Sequence, residues 1–286
     1  MNNVFRLIFS TDFVYAIFRG MTPLLFAGMG AVLSDVAGVP NIALEGLMLI
    51  AAFTGMFFSY LTQSALMGLL GAIFAAVFFA GVLAFFTLYY KTSIILGGIA
   101  INSLASGGTV FFLYLAAGDK GTSISLASKS LPVFTIPLID RIPVLGAILS
   151  GHNILTYISI LAVGEKKEAA ESVGISVEKT QAAALLLSGL MCGFGGAFMS
   201  MGYVSWFSRD MLASRGWIAL AAEAMGMQTP IGTALTCGLF GVADAFSNAV
   251  ATLGFPSDLV TTIPYVVTLI GLTVFSIRIM KKRSRT

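Results

Sequence analysis

The chain is short of nearly everything that chemistry in water relies on. Only 10% of its 286 residues are charged, one is histidine and two are cysteine, where a typical soluble domain is roughly a quarter charged. A single His152 cannot supply a cluster of imidazole metal ligands. Cys192 and Cys237, both inside apolar runs, exclude a disulfide scaffold and read as small packing residues. No Gly-x-x-x-x-Gly-Lys-[Ser/Thr] phosphate loop occurs, and no acid/base constellation converges within the apolar runs, so this chain lacks the usual equipment for hydrolysing nucleotides or catalysing proton transfer. The formal charge of +3 is scattered over the ends of apolar runs and makes no basic surface for nucleic acid. Arg6, Asp12 and Arg19 interrupt the first apolar stretch and no small-residue cleavage site follows it, unlike a signal peptide.

Apolar surface is what the chain has in excess. Hydrophobic residues make up 57% of it and the mean hydropathy is +0.94, more than a water-soluble fold of this length can bury. Runs approaching the ~20 residues that span a bilayer core fall at 21–33, 42–61, 66–88, 94–116, 154–163, 182–201, 231–250 and 259–279. A further apolar piece, 217–227, is too short to cross and reads as a half-helix. The pattern predicts an all-α, polytopic membrane helical bundle of about eight spans plus short or broken half-helices, in one transmembrane domain covering residues 1–286.

Orientation follows from the excess of Lys and Arg in short cytoplasmic loops. The tail with Arg278, Lys281, Lys282, Arg283 and Arg285 sets the C-terminus inside, which places nine basic residues inside against five outside. Residues 164–176 then fall inside. Residues 118–150, with Pro132, Pro137 and Pro143, form an extracellular loop.

Glu45, Glu223 and Asp244 sit in or at the ends of apolar stretches, where a charge costs ~2.5 to 3.5 kcal/mol on insertion scales and points to a bundle interior or watery cavity. Asn41, Asn102, Ser103, Ser106 and Asn248 can bind a polar solute or bridge helices. The candidates for a solute pathway are Asn41, Glu45, Asn102, Ser106, Glu223 and Asp244, with a purely structural role open for each. Gly189, Gly193 and Ala197 recur at the four-residue spacing that lets helix backbones approach. Ile42-Ala43-Leu44 is echoed by Ile218-Ala219-Leu220, a short match of the kind seen where two repeats of a transporter carry broken helices. The loop from Gly164 through Glu165, Glu168, Ala169, Ala170, Gly174 and Ile175 predicts a short amphipathic helix closed by a glycine, either a solvated turn or a docking knob.

In this loop Ala162-Val163-Gly164-Glu165, Glu168-Ala169-Ala170 and Gly174-Ile175 resemble the cytoplasmic coupling segment of permease subunits of ABC importers in the branched-chain amino acid, ribose and nucleoside group. Gly38-Val39-Pro40-Asn41-Ile42-Ala43-Leu44-Glu45-Gly46 resembles the second-span signature of its nucleoside and simple-sugar branch, and Arg215-Gly216-Trp217-Ile218-Ala219-Leu220 and Gly241-Val242-Ala243-Asp244-Ala245 agree in order. Lys167 departs from a proline common in the family.

The resemblance implies a type II-like permease subunit in a bacterial cytoplasmic membrane. It implies a second, non-identical permease subunit, ABC ATPase subunits holding ATP and Mg, and an extracytoplasmic substrate-binding protein, with no cofactor in this chain. Gly164, Glu165, Glu168, Ala169, Ala170, Gly174 and Ile175 would couple to the ATPase. Nucleosides, simple sugars and flavin-like compounds all suit a largely neutral pathway. An ion-coupled secondary transporter is the competing reading, with the three carboxylates as coupling groups.

One length is inconsistent with the rest. Residues 153–163 are too few for a ~30 Å core, yet the chain must cross there, between a loop read as outside and a segment read as inside. In relatives, as the resemblance has it, this span runs on into a basic stretch. The expectation is therefore an omission between about Ile160 and Ala162, detectable as a Cα spacing far above ~3.8 Å, with a true deletion as the alternative.

Overall fold

A computed structural model describes residues 10–134, 152–162, 177–251, 260 and 262–283. It is helical almost throughout. Helix α1 (Thr11–Val36) starts at Ser10, whose hydroxyl accepts the Phe13 amide at 3.2 Å. It is followed by α2 (Leu44–Thr62), by α3 (Ala65–Ala84) with a π-helical end at Phe85–Tyr89, and by α4 (Ile94–Ala117). Strands β1 (Val133–Phe134) and β2 (His152–Asn153) pair antiparallel, Val133 opposite Asn153. Then come α5 (Ile154–Ala162), α6 (Val177–Ala197) with a π-helical end at Phe198–Tyr203, the half-helix α7 (Arg215–Met225), α8 (Pro230–Ala251) and α9 (Ile263–Arg283).

Six helical stretches among the described residues are long and apolar enough to cross a bilayer: Thr11–Val36, Leu44–Thr62, Ala65–Tyr89, Ile94–Ala117, Val177–Tyr203 and Pro230–Ala251. Two of the eight expected spans differ from that standard. Helix α9 contributes a shorter apolar stretch, Ile263–Thr273, and α5 is nine residues, about 14 Å at 1.5 Å per residue. Helix α5 ends at Ala162, and residues 163–176, which follow it, lie outside the described residues. The first span also starts earlier than expected. Arg19 does not interrupt it, because its guanidinium bonds the Tyr203 carbonyl and stacks 4.2 Å from the Tyr203 ring centre.

Helices α1, α2 and α6 form the centre, and α6 meets α3 closely. A Cβ on Gly189 would lie 2.5 Å from the Ala80 Cβ, and one on Gly193 2.8 Å from the Ile73 Cα. The small-residue stripe is therefore a helix-packing seam. The faces of α3 and α4 turned away from the centre are apolar, with Phe74, Phe78, Leu96, Phe111 and Phe112 all exposed, as lipid contact or a partner subunit requires. Cys192 and Cys237 are buried and unbonded to each other, and His152 stacks on Tyr15 with ring centres 4.0 Å apart.

The two ends of the bundle are tied differently. At the end where α6 begins, Lys91 pairs with Glu178 at 2.6 Å, Gln181 donates to the Ala37 carbonyl at 3.2 Å, and Gln228 donates to the Asp35 carboxylate. At the other end residues 118–134 lie as a strap over the helix tips. Ser59 donates to the Lys129 carbonyl at 2.9 Å, Gln63 to the Ala127 carbonyl at 3.0 Å and the Leu131 amide to the Met201 carbonyl at 2.7 Å.

Candidate functional site

Two helices of this bundle start in its interior, and each start is closed by a side chain from another helix. The loop before α2 is anchored by Asn41, which is fully buried. Its amide group donates to the Ser188 hydroxyl at 2.8 Å, and its carbonyl accepts the Ala43 amide at 2.9 Å. Asn102 reaches across from α4, donating to the Ile42 carbonyl at 3.0 Å and accepting the Gly46 amide at 2.7 Å. That satisfies a backbone N–H which the first turn of a helix leaves unpaired.

Helix α7 is closed by Glu45. One carboxylate oxygen accepts the Ser214 amide at 3.1 Å and the other the Gly216 amide at 2.6 Å, which puts a negative group at the positive end of the helix dipole. A Cβ on Gly216 would stand 2.6 Å from the Glu45 Cα, so only glycine permits this approach. The residues leading into α7 are forced into left-handed conformations, with φ of 53° at Asp210, 46° at Ala213 and 62° at Ser214. Met227 and Gln228, just beyond its last turn, have φ of 55° and 58°. Five of the seven non-glycine residues with positive φ among those described thus flank this one half-helix, and such clustering marks functional parts of folds.

Between the two starts and α4 lies a cleft of about 330 Å³ lined by Glu45, Asn102, Ser103, Ser106, Asp210 and Trp217, with Leu49 and Ile99 as its apolar walls. Three sequence candidates, Glu45, Asn102 and Ser106, therefore come together. The other three do not join them. Asn41 is sealed in the α1–α2 turn, its polar atoms engaged within the protein. Asp244 lies across α7 in a smaller cavity of about 170 Å³, where it pairs with Arg215 at 3.2 Å. Glu223 is buried near the opposite end of α7, beside Asp35. The coupling candidates Gly164, Glu165, Glu168, Ala169, Ala170, Gly174 and Ile175 lie outside the described residues. Asp210 and Trp217 were not among the sequence candidates, and neither was Arg215. Arg215 and Trp217 stood in the Arg215-Gly216-Trp217 signature, but Asp210 sits in a loop without a periodic signal.

No group of three or more metal-binding side chains occurs among the described residues. With solute-sized space and mixed polar and apolar walls, the arrangement suits passage of a molecule. Residues 13–273 match the family described as the branched-chain amino acid transport system / permease component. The chain belongs to this family. It is a multi-pass membrane permease, a transport subunit rather than an enzyme.

Among curated proteins the chain is similar to the nucleoside ABC transporter permease protein NupC of Lactococcus lactis, with 30% identity across 96% of this chain and 93% of that one. It is similar to the guanosine ABC transporter permease protein NupQ of Bacillus subtilis, with 31% identity across 95% and 92%. The putative glucose ABC transporter permease protein TsgC13 of Haloferax volcanii shares 27% across 87% and 81%. No solved structure matches the chain. The NupC alignment spans 305 positions while using 96% of a 286-residue chain, which leaves about 30 positions where the relative has a residue and this permease has none. Among the described helices, α5 is the shortest.

Proposed function

We propose that this permease is one of two transmembrane subunits of an ATP-driven importer of nucleosides, working with ABC ATPase subunits inside and a substrate-binding protein outside a bacterial cytoplasmic membrane. The observation that carries this reading is similarity to two nucleoside permeases along nearly the whole length of both chains. The C-terminus and residues 164–176 face the cytoplasm in this reading, where the coupling residues dock on the ATPase. Coupling requires that nucleotide and solute each favour one conformation of the bundle over the other, since a ligand with equal affinity for both shifts nothing. Simple sugars are the second reading, favoured by the similarity to TsgC13.

The test is reconstitution of the whole importer in proteoliposomes with labelled guanosine. Uptake that requires ATP and persists when ion gradients are collapsed upholds the proposal. Uptake that survives ATP depletion and stops with the gradient identifies an ion-coupled transporter instead.

A further inference from the structure

We infer that the cleft between the two helix starts holds the solute during passage, and that its walls select uncharged, hydroxyl-bearing molecules and turn anions away. This inference rests on the importer reading above. The polar lining consists of the carboxylates of Glu45 and Asp210, the hydroxyls of Ser103 and Ser106, and the amide of Asn102. Neither lysine nor arginine lines it. The nearest cation in the α7 start, Arg215, points to the other side of the half-helix and is bound to Asp244. Arg209 approaches Asp210 at 3.3 Å, but both side chains are largely exposed, where such a pair is weak and readily exchanged.

The hydrogen-bond inventory decides what fits. A carboxylate only accepts, so each oxygen of Glu45, having taken one backbone amide, can take a further bond only from a donor. Sugar hydroxyls and exocyclic amines are such donors, and vicinal hydroxyls match the two oxygens of one carboxylate. Trp217, 44% exposed and facing the same space, offers a flat apolar face to a base or to the apolar side of a sugar ring. A volume of about 330 Å³ is at the lower end of small-molecule sites. A phosphate group would bring negative charge against two carboxylates with no lysine or arginine in the cleft wall itself, the nearby Arg209 and Arg215 each being already paired with an aspartate, and like-charge contact of this kind is disfavoured.

The experiment uses the complete importer in two measurements. One is ATP-driven uptake of labelled guanosine. The other is the fluorescence change of Trp217 on titration with guanosine, read as the difference between the parent complex and its Trp217→Phe variant. Saturable quenching by guanosine, none by guanosine 5′-monophosphate, and an approximately tenfold higher half-saturating concentration in Asp210→Asn are the expected results. Equal quenching by the monophosphate, unchanged binding in Asp210→Asn, or uptake with no Trp217 signal would overturn the assignment. A parent complex that takes up no nucleoside with ATP defeats the importer reading instead, while guanosine-selective quenching in that complex still upholds the cleft.

Discussion

The Glu45 carboxylate accepts the Gly216 amide at 2.6 Å, joining residues 171 positions apart in sequence. It is the tightest link between α2 and the half-helix, and it couples the two interior helix starts to each other. Anything that moves α7 away from α2 must break a charge-assisted bond or carry both helices together.

Glu45→Gln keeps the shape of that link and removes its charge. One of the two amides then faces a group that is itself a donor, so we expect a loss of about 1–3 kcal/mol of stability, seen as a lower melting temperature in detergent, and uptake reduced by about tenfold. Gly216→Ala should be worse, because its Cβ has nowhere to go.

The Arg215–Asp244 pair lies mostly out of solvent, with side chains 14% and 21% exposed. Removing one member strands the other, so Asp244→Ala alone should cost about 3 kcal/mol. The double variant Arg215→Gln with Asp244→Asn should recover much of that. Unfolding free energies of the parent, Arg215→Gln, Asp244→Asn and the double variant in one detergent give the interaction energy.

Gly189→Leu should prevent normal assembly of α6 on α3, since even a Cβ there meets Ala80 at 2.5 Å. Gly107→Ala is the control. A Cβ at Gly107 meets nothing within 4 Å, and we expect its expression and its size-exclusion profile to match the parent.

In the proposed coupling segment, replacing Glu168 and Gly174 together by alanine should lower solute-stimulated ATP hydrolysis while the melting temperature of the bundle stays within about 1 °C of the parent. Unchanged coupling with the segment so altered would remove it from the ATPase contact.

The helical class and most span positions were legible in the sequence because apolar runs of bilayer length have few other outcomes. The limits of the first span were not. A charge such as Arg19 reads as a stop until its partner is known, and that partner, Tyr203, is 184 residues away. The same holds for the site. Glu45, Asn102 and Ser106 drew attention as polar groups in apolar surroundings, a local signal. Which of six such residues share a space depends on where two loops carry the chain into the interior. Asn41 and Asp244 have equally conspicuous side chains, yet one is consumed by a turn and the other by an arginine. Asp210 gave no local signal at all.

Left-handed residues stand just before and just after α7, and a right-handed helix cannot be propagated through them. In this conformation α7 is therefore continuous with neither of the segments that flank it. Its eleven residues thus make a strut of about 16 Å, bounded at both ends by a reversal of backbone handedness. That strut reaches from the Glu45 contact at its start to the neighbourhood of Asp35 near its end, so a tilt of α7 at one end would be felt at the other.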